Sequence, residues 1–297
     1  MFIIKIGGGK SINVEGIIKD LSSLDEKFII VHGANYLRDE LAKSMNKPKK
    51  TLVSVKGYSS TYSDKEEIDM KMLAYSGLKN KRIVELCQQN NINAVGLSGL
   101  DGALIKGKRN RGIKVKEGEK IKLIRDFSGK PYEINKELLD LLLDNNYTPV
   151  LCIPIIDENN FAINSENDDI VRVLKNTMNA DKVIQLIEAP GFLENKDDES
   201  TLVKEMSKQE LELRESQVEG RMKRKIFSLK KLFSEGSCKV YITDGRVENP
   251  ITNALNGIFP NTYSELIKLN GIGDYTASAI SSICFNEYNP VVDGNVL

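Results

Sequence analysis

Lys5 stands inside an otherwise apolar run, Phe2-Ile3-Ile4-Lys5-Ile6, that leads straight into Gly7, Gly8 and Gly9. An ammonium in such a run has to reach something polar at the strand end. A second apolar run, Phe28 to His32, ends in Gly33, so two glycine turns follow two candidate strands. At the C-terminal edge of an open α/β sheet, such turns let backbone N–H groups approach phosphate oxygens. They are also what any tight turn requires, and the pattern alone leaves both readings open. Neither turn has the spacing of a P-loop, G-x-x-x-x-G-K-[ST], or of a dinucleotide fingerprint, G-x-G-x-x-G. A cationic cluster, Gly220-Arg221-Met222-Lys223-Arg224-Lys225, opens a helical stretch whose N-terminus favours anions. Asp168 begins another helical stretch, with Asn164 just ahead of it; its carboxylate can hold such lysines apart or simply cap its helix. Two lysines beside glycine turns suggest a phosphate site.

The elements that must position these groups alternate. Short apolar runs at 2–6, 28–32, 94–97, 149–156, 182–187 and 239–243 read as strands, and amphipathic stretches between them read as helices. The βαβα order predicts a doubly wound, mostly parallel sheet with helices on both faces. Two stretches break the rhythm: a basic one from Lys106 to Arg125, which reads as a hairpin, and a charged helical one from about Asn195 to Val218. After Asn256 the composition turns to Ser, Asn, Gly and Ile with a single basic residue, Lys268, and this places a domain boundary near 256.

Composition excludes several classes of function. Net charge is zero, with 42 basic and 42 acidic residues among 297, so no whole-protein attraction to nucleic acid or membrane is expected. No run approaches the ~20 apolar residues that span a bilayer, and the N-terminus lacks the pattern of a signal peptide. The expectation is a cytoplasmic protein. Cys87, Cys152, Cys238 and Cys284 are scattered without a C-x-x-C pair, which predicts buried free thiols rather than disulfides or zinc. The only histidine, His32, rules out multi-histidine metal sites, and its place at the end of an apolar run predicts a structural role.

Taken together, Lys5-Ile6-Gly7-Gly8, Val31-His32-Gly33, the stretch from Gly77 to Gly102, Leu138 to Leu143, Gly220 to Lys225 and Asp244 to Ile251 resemble the amino acid kinase family across residues 1–256. Within it the likeness is to the acetylglutamate kinase group, and there to kinases acting on aminoadipate or glutamate attached to a small acidic carrier protein of the LysW type. The resemblance implies one three-layer α/β/α sandwich of the carbamate kinase kind and transfer of the ATP γ-phosphoryl group to a carboxylate, giving an acyl phosphate, with Mg²⁺ arriving alongside ATP. It also implies roles. Lys5 and Lys225 supply positive charge, Asp168 orients both, and Gly7, Gly8, Gly33 and Gly191 lie against nucleotide and phosphoryl oxygens. Gly33, Ala34, Thr61 and Asn164 fall where the acyl substrate binds. No metal ligand set is implied, and homo-oligomers are common in the family. A carboxylate nucleophile is ionised at pH 7 and needs no general base, so a chain with one histidine lacks nothing for this chemistry.

Four places depart from the family pattern. Where relatives carry a substrate-clamping arginine this chain has Thr61; H-G-G-G is His32-Gly33-Ala34-Asn35; N-T-D-G-D-Q runs Asn164 to Asp169 as N-S-E-N-D-D; and the nucleotide-side loop reads Ile187-Glu188-Ala189-Pro190-Gly191. Side chains at Ala34 or Asn167 are expected to crowd a phosphate. The basic stretch, including Lys106, Lys108, Arg109, Arg111 and Lys114, either steers an acidic carrier to the cleft or is a solvated hairpin, free N-acyl amino acid being the substrate in the second case.

From Gly257 the likeness changes to the helix-hairpin-helix segment of adenine-specific mismatch DNA glycosylases of the MutY type. Asp293 matches that family's catalytic aspartate, and Tyr275 a position that is lysine in its bifunctional members. The match is only a fragment ending at Leu297, without the rest of the barrel, so base excision is not expected and a junction of two reading frames near Asn256-Gly257 is the reading it suggests; the alternative of a different class is an inactive kinase scaffold with a DNA-binding helix-hairpin-helix tail.

Overall fold

A computed structural model describes the chain except residues 54, 56–58, 118–119, 196, 204, 218–229, 231–237, 257–261, 268–271 and 286–297. It divides into two units, Met1–Ile251 and Thr252–Leu297.

In the first unit β1 (Phe2–Ile6), α1 (Val14–Leu21), β2 (Phe28–His32) and α2 (Asn35–Ser44) are followed by a small ribbon, β3 (Thr51–Val53) with β4 (Ser59–Thr61). One long helical run comes next: α3 (Lys65–Lys71), a π-helical stretch at Met72–Lys79 and α4 (Asn80–Gln89). Then come β5 (Ala94–Gly99), β6 (Ile105–Arg109), β7 (Ile113–Glu117), β8 (Lys120–Ile124), β9 (Gly129–Ile134), α5 (Lys136–Asp144), β10 (Thr148–Ile156), β11 (Ala162–Ile163) and α6 (Asn167–Met178). β12 (Lys182–Ile187), β13 (Phe192–Leu193), β14 (Leu202–Val203), α7 (Lys208–Gln217) and β15 (Lys239–Asp244) complete the described part of the unit. α8 (Pro250–Asn256) contains the division between the units.

The main sheet runs β15-β12-β1-β2-β10-β6-β9, with β5 and β11 also paired to β10. The pairs β15–β12, β12–β1, β1–β2, β2–β10, β10–β5 and β10–β6 are parallel, and β6–β9 and β10–β11 are antiparallel. All six expected strands are present. β1 and β2 are nearly or wholly buried along their length, as central strands of a parallel sheet covered on both faces must be, which is why they read as continuous apolar runs. Register sets Ile6 beside His32, so the turns after β1 and β2 leave the sheet side by side.

Helix starts follow the local chemistry. Asn13, Asp64 and Asn135 accept hydrogen bonds from Gly16, Glu67 and Leu138 N–H groups at 2.9, 2.9 and 3.1 Å, capping α1, α3 and α5. α6 ends at Asn179 in the left-handed conformation, φ 49°.

Three expectations are corrected. The basic stretch is not one hairpin: Lys106 to Arg109 belong to β6 of the main sheet, and only β7 and β8 form a separate ribbon. A run of Ile and Leu between lysines does not reveal which partner each strand will take. The charged stretch after Asn195 is helical only in its second half, α7; its first half holds a 3₁₀ turn at Glu199–Thr201 and then β14, paired with β13. Of the cysteines, all free, Cys87 and Cys152 are buried, Cys238 is half-buried and Cys284 exposed. The helical stretch opened by Gly220 lies outside the described residues apart from Lys230. Among the described residues no helix is long and apolar enough to cross a membrane.

The second unit contributes α9 (Tyr263–Leu266) and α10 (Asp274–Phe285), with the Tyr263 hydroxyl donating to Asp274.

Candidate active site

The two glycine turns touch backbone to backbone. A Cβ on Gly8 would lie 2.6 Å from the Ala34 nitrogen, and one on Gly33 would lie 2.8 Å from the Gly8 nitrogen. Hydrogen bonds lock this approach: Gly7 N–H donates to Leu186 O (2.9 Å), Gly33 N–H to Ile6 O (2.9 Å) and Tyr36 N–H to Gly8 O (2.9 Å). α2 begins at this point with no side-chain cap and no acidic residue in its first turn, so its N–H groups and the positive end of its dipole face the turns without a built-in anion.

Lys5 extends from β1 to the start of α6 and pairs with Asp168, donating to Oδ1. The lysine side chain is 15% exposed and the aspartate 42%, so the pair stands at the wall of the cleft. That cleft, of about 610 Å³, is lined by Lys5, Gly7, Gly8, Gly33, Thr61, Asn164 and Asp168, and this is a volume suited to small-molecule substrates. Lys71 and Tyr75 also line it.

Seven of the residues singled out by sequence therefore come together. Others do not. Ala34 is 1% exposed and belongs to the hydrophobic core, so its methyl is turned away from the cleft and crowds no phosphate. Gly191 is buried after β12, where a Cβ would meet Leu202 Cδ1 at 2.8 Å, and it does not line the cleft. Asn167 does line it, yet its amide donates to the His32 carbonyl at 3.1 Å, tying α6 to the β2 turn. Lys225 and Asp293 lie outside the described residues, and Tyr275 is an exposed residue of α10.

His32 is fully buried beneath the turn. Nδ1 lies 3.3 Å from the Gly33 carbonyl and Nε2 lies 3.2 Å from the Asn80 amide, which fits a neutral ring donating from Nδ1 and accepting at Nε2. Burial, above all, pushes its pKa down to about 3, while the Gly33 carbonyl opposes the shift and Lys79 adds to it. The unfolded chain takes up this proton below about 6.5 and the folded one does not. Stability is thus fully present above that value and falls with pH down to about 3, by about 1.4 kcal/mol per pH unit. His32→Gln is expected to remove about one proton's worth of this slope in denaturant unfolding between pH 3.5 and 6; an unchanged slope would mean that the ring protonates in the folded state.

The basic residues divide. Lys106 is engaged by Glu133 at 2.7 Å. Arg109 pairs with the buried Asp157 at 2.8 Å and lies over Phe127 and Phe161, at 4.4 and 5.7 Å from the ring centroids, so its guanidinium belongs to the packing of the sheet edge. Lys108, Arg111 and Lys114 are exposed.

Sequence reasoning missed Lys71. It sits four residues after Glu67, the spacing of an exposed helical ion pair, yet both side chains are buried, 8% and 6% exposed. Among the described residues, no group of three or more His, Cys, Asp or Glu side chains is arranged to hold a metal ion.

The model of the amino acid kinase family matches residues 1–244, and that of the helix-hairpin-helix motif matches residues 254–283. The chain is 38% identical over 263 residues to the [LysW]-aminoadipate kinase of Thermus thermophilus, covering 86% of this chain and 98% of the relative. To the acetylglutamate kinase of Archaeoglobus fulgidus it is 33% identical, covering 82% of this chain and 85% of that one. Carbamate kinase from Giardia lamblia bound to AMP-PNP shares the fold at a TM-score of 0.61 and 16% identity, over 86% of this chain and 95% of that one. With its glycine turns, its Lys5–Asp168 pair and this match over most of its length, the chain belongs to the amino acid kinase family.

Proposed function

We propose that the chain transfers the γ-phosphoryl group of ATP to the side-chain carboxylate of an N-blocked acidic amino acid, with 2-aminoadipate or glutamate linked to a small acidic carrier protein as the acceptor. A carboxylate oxygen attacks the γ-phosphorus, the bond to the β-phosphate oxygen breaks, ADP departs, and an acyl phosphate remains. The observation that carries this reading is the Lys5–Asp168 pair set in the cleft beside two abutting glycine turns. Phosphoryl transfer asks a protein chiefly for positive charge and N–H donors aimed at oxygens in flight, and this wall of the cleft offers both. Asp168 aims the Lys5 ammonium, Gly8 and Gly33 let the backbone come close, and Lys225 is expected to add a second cation. Mg²⁺ enters with the nucleotide; such an ion takes most of its ligands from phosphates and water and needs one or two protein carboxylates at most, in keeping with a cleft that has no three-carboxylate cage among its described residues.

The carrier reading draws on the [LysW]-aminoadipate kinase relative and on the exposed Lys108, Arg111 and Lys114, which suit an acidic partner. ADP release with hydroxylamine trapping of acyl phosphate, run on carrier-linked aminoadipate, carrier-linked glutamate and free N-acetylglutamate, tests it. Hydroxamate from the carrier-linked acceptors is expected. Reversing the three exposed charges to glutamate should then raise the carrier-linked KM by about tenfold or more at low salt, leaving any free acceptor unaffected. Turnover confined to N-acetylglutamate would replace the carrier by a free substrate, and no hydroxamate from any acceptor would refute a carboxylate kinase.

A further inference from the structure

An N-blocked acidic amino acid carries two carboxylates: the one that receives the phosphoryl group, and the α-carboxylate, which keeps its charge throughout. Lys5 serves the phosphoryl group passed to the first. Thr61 brings no charge to the cleft, and the lining cations other than Lys5 are Lys49, Lys71 and Lys130. Lys49 and Lys130 are exposed, and Lys71 is buried.

Lys71 is short of negative charge. Glu67 gives both carboxylate oxygens to Arg38, whose Nε donates to Oε1 at 3.0 Å and whose Nη2 donates to Oε2. Lys71 shares Oε1 only at 3.4 Å, and its Nζ also lies 5.7 Å from the centroid of the Tyr75 ring. Arg38 has a second partner, Asp39 at 2.8 Å, but that carboxylate is 52% exposed and largely screened by water. Two buried cations thus share one buried carboxylate. Glu166, the acidic residue of the cleft that also acts on Lys71, is exposed. Burial pulls the Lys71 pKa below the usual lysine value, Glu67 opposes this, and the Arg38 charge adds to the lowering. A buried ammonium with one long ion pair and an open cleft before it is a site for an anion.

We infer that the Lys71 ammonium binds the acceptor's α-carboxylate and so determines which acids the cleft accepts. The inference rests on the carboxylate kinase reading. Lys71 reaches the cleft from α3, an element distinct from the strand that bears Lys5, so the cation that anchors the acceptor is separate from the one that serves the phosphoryl group.

The test uses the full-length protein and two semisynthetic carrier conjugates of 2-aminoadipate, one with a free α-carboxylate and one with an α-carboxamide. The native protein is expected to prefer the carboxylate by about 10- to 100-fold in kcat/KM, the size of one charge-assisted hydrogen bond in a buried site. In Lys71→Met the preference should fall to near unity through a higher acceptor KM, with the KM for ATP unchanged. Lys71→Gln, polar and of similar length, is the second variant should the apolar one fold poorly, and it should lose the same preference. Retention of the preference in the variants, or a rise confined to the KM for ATP, would overturn the assignment while leaving the kinase reading intact. Failure of the native protein to phosphorylate the carboxylate conjugate at all would overturn the kinase reading, and the role of Lys71 with it.

Discussion

Replacing Lys5 by methionine is expected to lower kcat by about 10²- to 10³-fold while the acceptor KM changes little and the fold persists. The size follows from the role proposed for the ammonium: in a site that excludes much of the water, a donor aimed at charge developing on the phosphoryl group contributes far more to the transition state than to the bound substrate. Persistence of the fold follows from the strand. Methionine is apolar and of similar length, and Phe2, Ile3, Ile4 and Ile6 around it are already in the core. The lost partner, Asp168, is 42% exposed and rehydrates, so the stability cost stays within about 1 kcal/mol. Asp168→Asn is expected to be milder, since it leaves the ammonium in place and removes only its aim; displacement by an ångström lowers turnover by about 10²-fold. Steady-state kinetics on both variants, with urea unfolding as control, decides. A Lys5→Met protein whose kcat stays within a few-fold of the native value would remove Lys5 from the chemistry.

Much of this site was legible because it lies on the most strongly patterned part of the chain. A lysine inside FIIKI has few places to go, and glycines that end two buried parallel strands must converge once those strands pair. Periodicity found all six strands for the same reason: in a covered sheet, apolar character is continuous and turns interrupt it. What stayed hidden depends on partners remote in sequence. Arg109 resembled its basic neighbours until Asp157 and two phenylalanines closed around it. Lys71 matched an exposed i, i+4 pair because the group that competes with it for Glu67, Arg38 on α2, is connected to it by no sequence spacing. Ala34 departs from the family's glycine, and only the structure reveals that its methyl joins the core. The roles of Lys225 and Asp293 lie beyond the described residues.

Gly8→Ala is expected to cost about 1–3 kcal/mol of stability and at least about 10²-fold in kcat/KM, while the same substitution at Gly9 or Gly77 costs much less. The added Cβ would stand 2.6 Å from Ala34 N and 2.8 Å from both Asn35 N and Gly33 C, all backbone atoms without rotamers to yield. Moving them means separating the two turns. The Gly33 N–H bond to Ile6 O and the Tyr36 N–H bond to Gly8 O, both 2.9 Å, resist this, and the start of α2 moves with whichever gives way. The amides of the two turns, proposed to face the phosphates, then shift together. Gly9 makes the contrast: the nearest atoms a Cβ there would meet are the carboxylate end of the Glu188 side chain, which can rotate aside at the cost of its 2.6 Å bond from the Ser11 N–H. Gly77, on the π-helical stretch, has its nearest atom, Met72 O, at 3.5 Å, an ordinary contact, and Gly77→Ala controls for the effect of a methyl as such. Thermal unfolding and kcat/KM across the three variants separate the possibilities, because only close approach of two backbones predicts a large loss at Gly8 with little change at Gly9 and Gly77. Equal losses at Gly8 and Gly9 would point to loop flexibility as the requirement, and no loss at Gly8 would mean that the turns stand further apart in solution, with room for a side chain between them.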